Sequence, residues 1–184
     1  MSGVPDRRKA MMMGIMGGVV GAYAMRWYTR KLVPVIFPWA LLPAEEDGRP
    51  DPLETRALVP RQYEDGETPF QAVGRLGYQT LTGSTPRSAE TRQLLGDLTE
   101  WAFLIAAGAG YGATRTTTRW RDLAGGFFMG LRLWGADEIS APILGLRAGP
   151  TRFTEAQHGL LLSAYWVFSL IMANTTRFLY RLFP

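Results

Sequence analysis

Sixteen consecutive residues, Ala10 to Met25 (AMMMGIMGGVVGAYAM), carry no charge. At 1.5 Å per residue such a run makes a helix of about 24 Å, close to the roughly 30 Å hydrocarbon core of a bilayer. Arg7, Arg8 and Lys9 precede it, and Arg26, Trp27, Tyr28, Arg30 and Lys31 follow. Basic side chains that snorkel and aromatic rings at headgroup level are the flanks of a transmembrane helix. The same run with the small triplet Ala22-Tyr23-Ala24 has the ingredients of a cleaved leader. The expectation here is a retained helix.

Three further stretches are nearly free of charge. Trp101 to Thr114 has 14 uncharged residues, and start signals place the beginning of its helix earlier, after Thr85-Pro86 or Ser88. Glu90, Gln93, Asp97 and Glu100 fall at helical spacing and predict an acidic stripe on that extension, with Leu94, Leu95 and Leu98 off it. Leu123 to Trp134 has 12 residues and includes Arg132, which predicts a short or tilted span. Gly159 to Thr176 has 18 uncharged residues, opened by the capping-box pattern Thr154-Glu-Ala-Gln157 and followed by Arg177 and Arg181. The fold class expected is all-α, a small polytopic membrane bundle of about four helices. The segments are 1–43, the first helix with an interfacial prolyl piece; 44–92, a polar extramembrane piece; and 93–184, three membrane helices.

The apolar run Leu32 to Leu42 is broken by Pro34 and Pro38, which argues against a regular helix and for an interfacial path with Phe37 and Trp39 towards lipid. Residues 44–92 hold nine acids and six arginines and predict a cap with a short helix over Pro69 to Leu81. Arg7, Arg8, Lys9, Arg115, Arg119, Arg121, Arg177 and Arg181 gather on one side if both termini are cytoplasmic. The net charge of +4 is then a topology signal. Arginines scattered over helix ends do not form the basic face that binds nucleic acid.

Gly14 with Gly18, Gly17 with Gly21, Gly108 with Gly112, and Gly126 with Gly130 are small-xxx-small pairs in three apolar stretches, the spacing that lets helix backbones approach in lipid. Chemistry is scarcer. With no cysteine and one histidine, thiol catalysis and zinc-ribbon or iron–sulfur sites are excluded, and a catalytic triad or multi-histidine metal site would have to pass through His158.

The order GGVVGAYAM, GAGYGA, GGFFMGLRLWGADE, APILGL and TEAQHGLLLSAYW resembles the uncharacterised bacterial inner-membrane family typified by YagU. The most specific pieces are Trp134-Gly-Ala-Asp-Glu138, Pro142-Ile-Leu-Gly-Leu146 and His158. The resemblance implies a multi-helix protein of the inner membrane without established activity or cofactor. Where that family often has a histidine, at the start of the second membrane helix, this chain has Glu100-Trp101.

Asp137, Glu138, Glu155 and His158 form the one polar constellation expected at the outer interface. Glu155 and His158 stand three apart, the spacing of di-iron bundles, but those need the motif twice. No metal site is expected, and His158 is at most a ligand for the central metal of a haem or other pigment. The simpler reading pairs these carboxylates with Arg147, Arg152 or His158. Three roles remain, in descending order: an accessory subunit among lipid and other membrane subunits, respiratory or photosynthetic complexes included; a transporter or channel using Arg132, Ser169, Asn174 and Thr175; and a membrane enzyme or pigment protein.

Overall fold

In a computed structural model of the chain, residues 6–41, 51–114 and 119–183 are described, with 119–123 described by backbone alone. Residues 44–50 and Arg115, part of the expected acidic cap and basic cluster, lie outside them, as do the side chains of Arg119 and Arg121. Every regular element among the described residues is helical.

The elements are α1 (Arg7–Trp27), α2 (Val33–Ile36), α3 (Pro52–Thr55), α4 (Pro69–Thr82), α5 (Ala89–Thr114), α6 (Arg119–Gly135), α7 (Ala141–Ile143) and α8 (Glu155–Leu182). They fall into two units. One draws on Met1–Leu41, Phe103–Trp134 and Ala156–Pro184, the other on Leu42–Ala102 and Gly135–Glu155. These boundaries differ from the sequence segments, since residues 93–102 and 135–155 group with the polar piece.

In the first unit Asp6 caps α1 by accepting from the backbone N–H of Arg8 at 3.0 Å and of Lys9 at 3.3 Å. The prolyl run that follows is no regular helix, as its prolines led one to expect, but a series of short helical pieces of different type. Pro34 has no N–H to return, and the chain widens into a π-helical stretch at Tyr28–Leu32 before α2 and a 3-10 turn at Pro38–Leu41. Trp39 is exposed and meets Phe37 edge to face.

Glycines set the order of packing. Ala10, Gly14 and Gly18 meet Gly112, Gly108 and Leu104 respectively, so α1 and α5 run antiparallel. Gly17 meets Met172 and Thr176, and Gly21 meets Phe168, so α8 also opposes α1. Gly126 lies against Ala173, and Gly130 against Trp166 and Tyr165, so α6 opposes α8. The four helices therefore alternate in direction. The start of α1 and the end of α8 share one end of the unit, where the Lys9 ammonium lies 5.3 Å from the centre of the Tyr180 ring. Near the opposite end Tyr28 Oη and Ser163 Oγ are 2.9 Å apart.

The distribution of side-chain size is unusual for a helix in water. The residues that α1 buries are Ala10, Gly14, Gly17, Gly18, Gly21, Ala22 and Met25. Met25 apart, large apolar residues lie on its outward face: Met12 is 63% exposed, Met16 47%, Tyr23 69% and Trp27 51%. A helix of a water-soluble protein buries its large apolar stripe and exposes polar residues. Among the described residues one helix is long and apolar enough to cross a bilayer, α8 with 28 residues, about 42 Å long.

In the second unit α4 opens with a capping box, Thr68 Oγ1 accepting from Gln71 N and Gln71 Oε1 from Thr68 N. It closes on Gly83 at φ 69°, a left-handed position that glycine takes without strain. Ser88 Oγ accepts from Thr91 N at the head of α5. Gly74 lies against Leu95, and Gly96 against Gln71, which packs α4 on the first half of α5.

Candidate functional site

Three carboxylate-centred clusters organise the second unit. The first is a clasp over a hundred residues of sequence. Asp51, fully buried, caps α3 by accepting from Leu53 N at 2.7 Å. Its other oxygen accepts from Thr151 N at 2.8 Å and Thr151 Oγ1 at 2.6 Å. Burial works to raise its pKa, but these bonds favour the ionised form and hold it below the ordinary value. Gly149 is required here, because a methyl in its place would fall on the Asp51 carboxylate. Glu54 Oε1 accepts from Gly149 N at 2.7 Å, completing the clasp. Beside it Leu58 N donates to Ile143 O, and Gln62 N and Tyr63 N donate to Gly145 O.

The second cluster is a two-point pair. Arg75 Nε donates to Glu67 Oε1 at 2.8 Å and its Nη2 to Glu67 Oε2 at 2.9 Å, with both side chains buried. Arg75 Nη2 also donates to Gln62 O, and Glu64, 3.6 Å from Arg75 Nε, receives Arg92 as well. Burial pushes the Glu67 carboxyl up, but the Arg75 bond and the Glu64 N–H bring it below its ordinary value. Burial is tolerable for such a pair only when the geometry is this complete.

The third holds two of the expected polar residues. Asp137 and Glu138 sit in a π-helical turn, Ala136–Ser140, that continues α6. The same nitrogen, Arg147 Nη1, donates to Asp137 Oδ2 at 3.1 Å and to Glu138 Oε1 at 3.4 Å. The guanidinium carbon stands 4.1 Å from the centre of the Phe153 ring. Burial raises the Asp137 pKa to about 6, with Arg147 opposing and Glu138 adding to the rise.

Glu155 and His158 belong to different units. Glu155 is exposed at the first turn of α8, where a negative charge complements the helix dipole. His158 is half-buried. Among the described residues no group of three or more Asp, Glu or His side chains is arranged to hold a metal ion.

Two of the residues named as lining for a transport path, Ser169 and Asn174, bond to their own helix. Ser169 is fully buried, with its hydroxyl 3.4 Å from Trp166 O, and Asn174 Nδ2 donates to Leu170 O at 2.8 Å. Arg132 is exposed on α6. The glycine pairs all face neighbours in the first unit, as set out above. Gly126 is among them, so a bulky residue there strikes Ala173 of the same chain.

Sequence reasoning missed Asp51, Glu54, Glu67 and Arg75. The bond of Asp51 to Thr151 had no local signal, since the two stand 100 residues apart. The Asp51-Pro52 step did carry a helix-start signal of cap residue and proline, and the stretch was read only as polar loop.

Compared with protein-family models, curated proteins and solved structures, the chain matches none.

Proposed function

We propose that this chain is a small multi-pass membrane protein with a structural role, an accessory subunit of a larger membrane assembly. The observation that carries the membrane reading is the reversed size order on α1, with glycine and alanine turned inward and Met12, Met16, Tyr23 and Trp27 outward. Lipid removes the hydrophobic force between helices, so close backbone approach at small residues takes its place. Large apolar side chains then serve the lipid face, an arrangement that in water would expose an extended apolar patch. The length and apolarity of α8 support the same reading.

Four spans with both termini on the cytoplasmic side of a bacterial inner membrane are consistent with the shared end of α1 and α8. The resemblance to the YagU-like family, carried by GGFFMGLRLWGADE and APILGL, suits this reading. The accessory role over a transport role is supported by Ser169, Asn174 and Thr176 of α8, whose side chains bond to their own backbone. Lipid and other membrane subunits are the partners this requires, and no cofactor is invoked. His158 as a pigment ligand is the weaker alternative.

The test is purification of the tagged full chain from native membranes in mild detergent. The proposal expects a larger assembly with the same membrane subunits in fixed ratio. A monodisperse chain alone, with flux in proteoliposomes or a bound pigment, would overturn the accessory role.

A further inference from the structure

Arg147 offers one nitrogen to two carboxylates on adjacent residues, and the three side chains are nearly out of solvent, at 11% exposure for Asp137, 6% for Glu138 and 12% for Arg147. We propose that Asp137, Glu138 and Arg147 form a site that binds one proton and thereby sets how firmly the segment from Ala141 to Phe153 is held. This inference goes beyond the accessory role and does not depend on it.

The geometry differs from that of Arg75 and Glu67 in the same unit. There two guanidinium nitrogens meet two oxygens of one carboxylate, the strong form of the pair. Here Arg147 gives each carboxylate a single bond from one nitrogen, and each carboxylate repels the other. Two neighbouring carboxylates in low dielectric resist double ionisation, and the one with less support takes up a proton. The charged groups acting on Asp137 are Arg147 from the following loop and Glu138 from its own turn. Asp137, which meets Arg147 through one oxygen and is repelled by Glu138, is the member assigned the proton. The rise of its pKa to about 6 accords with that assignment.

Protonation at Asp137 removes the cost of a buried charge and its repulsion of Glu138, which together outweigh the lost attraction to Arg147, and leaves Arg147 to Glu138. The consequence runs along the segment that Arg147 anchors. Two residues before Arg147, Gly145 at φ 67° accepts from Gln62 N and Tyr63 N, and Thr151 is held by Asp51. Because burial raises the Asp137 pKa more than Arg147 lowers it, mild acid favours the closed segment over an open one that wets Asp137, and Asp51, held below its ordinary pKa, leaves its clasp in place.

The test uses the full chain in lipid nanodiscs, by infrared titration and by hydrogen exchange corrected for the intrinsic pH effect. A carboxylic-acid band is expected to grow with a midpoint of about 6. It should be missing in Asp137→Asn, and in Glu138→Gln its midpoint should fall towards the ordinary carboxylate range. Amides of residues 141–153 should exchange several-fold more slowly at mildly acid than at neutral pH in the natural chain, and equally at both in Asp137→Asn. A natural chain without the band, a band that survives Asp137→Asn, or protection that does not rise in acid would overturn the proposal. Should Asp137→Asn fail to fold, the band in the natural chain and its shift in Glu138→Gln decide.

Discussion

Gly14 of α1 and Gly108 of α5 stand backbone to backbone, so that a methyl built on either would fall on the carbonyl oxygen of the other. This reciprocity leaves no slack on either helix. Gly14→Leu or Gly108→Leu should force the pair apart, costing about 1–3 kcal/mol or more as overpacking does. Val20→Leu, on the outward face at 44% exposure, should stay within about 0.5 kcal/mol. Gly110→Ala, where nothing stands within 4 Å, should be neutral or slightly stabilising. Thermal melts in one detergent check this, and equal midpoints for Gly14→Leu and Val20→Leu would contradict the close contact.

The Arg75–Glu67 pair should show the asymmetry of a buried charge. Removing one partner, as in Glu67→Leu, strands a guanidinium and should cost about 3–5 kcal/mol. Replacing both, as in Arg75→Met with Glu67→Leu, should recover much of that loss. Urea unfolding followed by a probe in residues 51–102 measures it, and additive losses would show that the pair is not coupled.

At Gly149 a single methyl strikes the Asp51 carboxylate. Gly149→Ala should therefore loosen the cap of α3 and both Thr151 bonds, a loss of about 1–2 kcal/mol. Protease cutting within 51–63 should rise in parallel. Unchanged cutting would mean that the clasp contributes little to holding that strap.

Stability should pass through a maximum in mild acid. Asp51 and Glu67 lie below their ordinary pKa in the fold, so their contribution is present above the ordinary range and is lost as pH falls through and below it. Asp137 works the other way. Its folded pKa of about 6 exceeds the unfolded value near 4, so its ionisation costs the fold fully above 6 and is relieved as pH falls between the two. Melting midpoints across pH should fall on both sides of this window, and Asp137→Asn should flatten the neutral limb while leaving the acid limb.

How far the fold was legible depended on the range of the interactions. The helix starts at Ser88, one of the two places expected, and after Thr154 were readable because the signal is local, as where the Ser88 hydroxyl accepts from the N–H three residues on. The glycines at 14, 18, 108 and 112 announced close approach by spacing, but which helix each would meet is a long-range fact. The prolines announce that Leu32–Leu41 forms no regular helix, but not that a π-helical turn ahead of Pro34 and a 3-10 turn at Pro38 carry the chain on. At the polar cluster, Asp137 and Glu138 stood out as charges beside an apolar run. Their sharing of a single Arg147 nitrogen turns on a bend at Gly145 that spacing does not encode.

The proposed passage of α1 through a membrane, with its large residues in lipid, can be read from three single cysteines in a chain that has none of its own. An impermeant maleimide applied to sealed, oriented vesicles should label Arg8→Cys from one side and Arg30→Cys from the other. Met16→Cys should react from neither side until detergent is added. Labelling of Arg8→Cys and Arg30→Cys from the same side, or of Met16→Cys by the impermeant reagent in intact vesicles, would contradict the account.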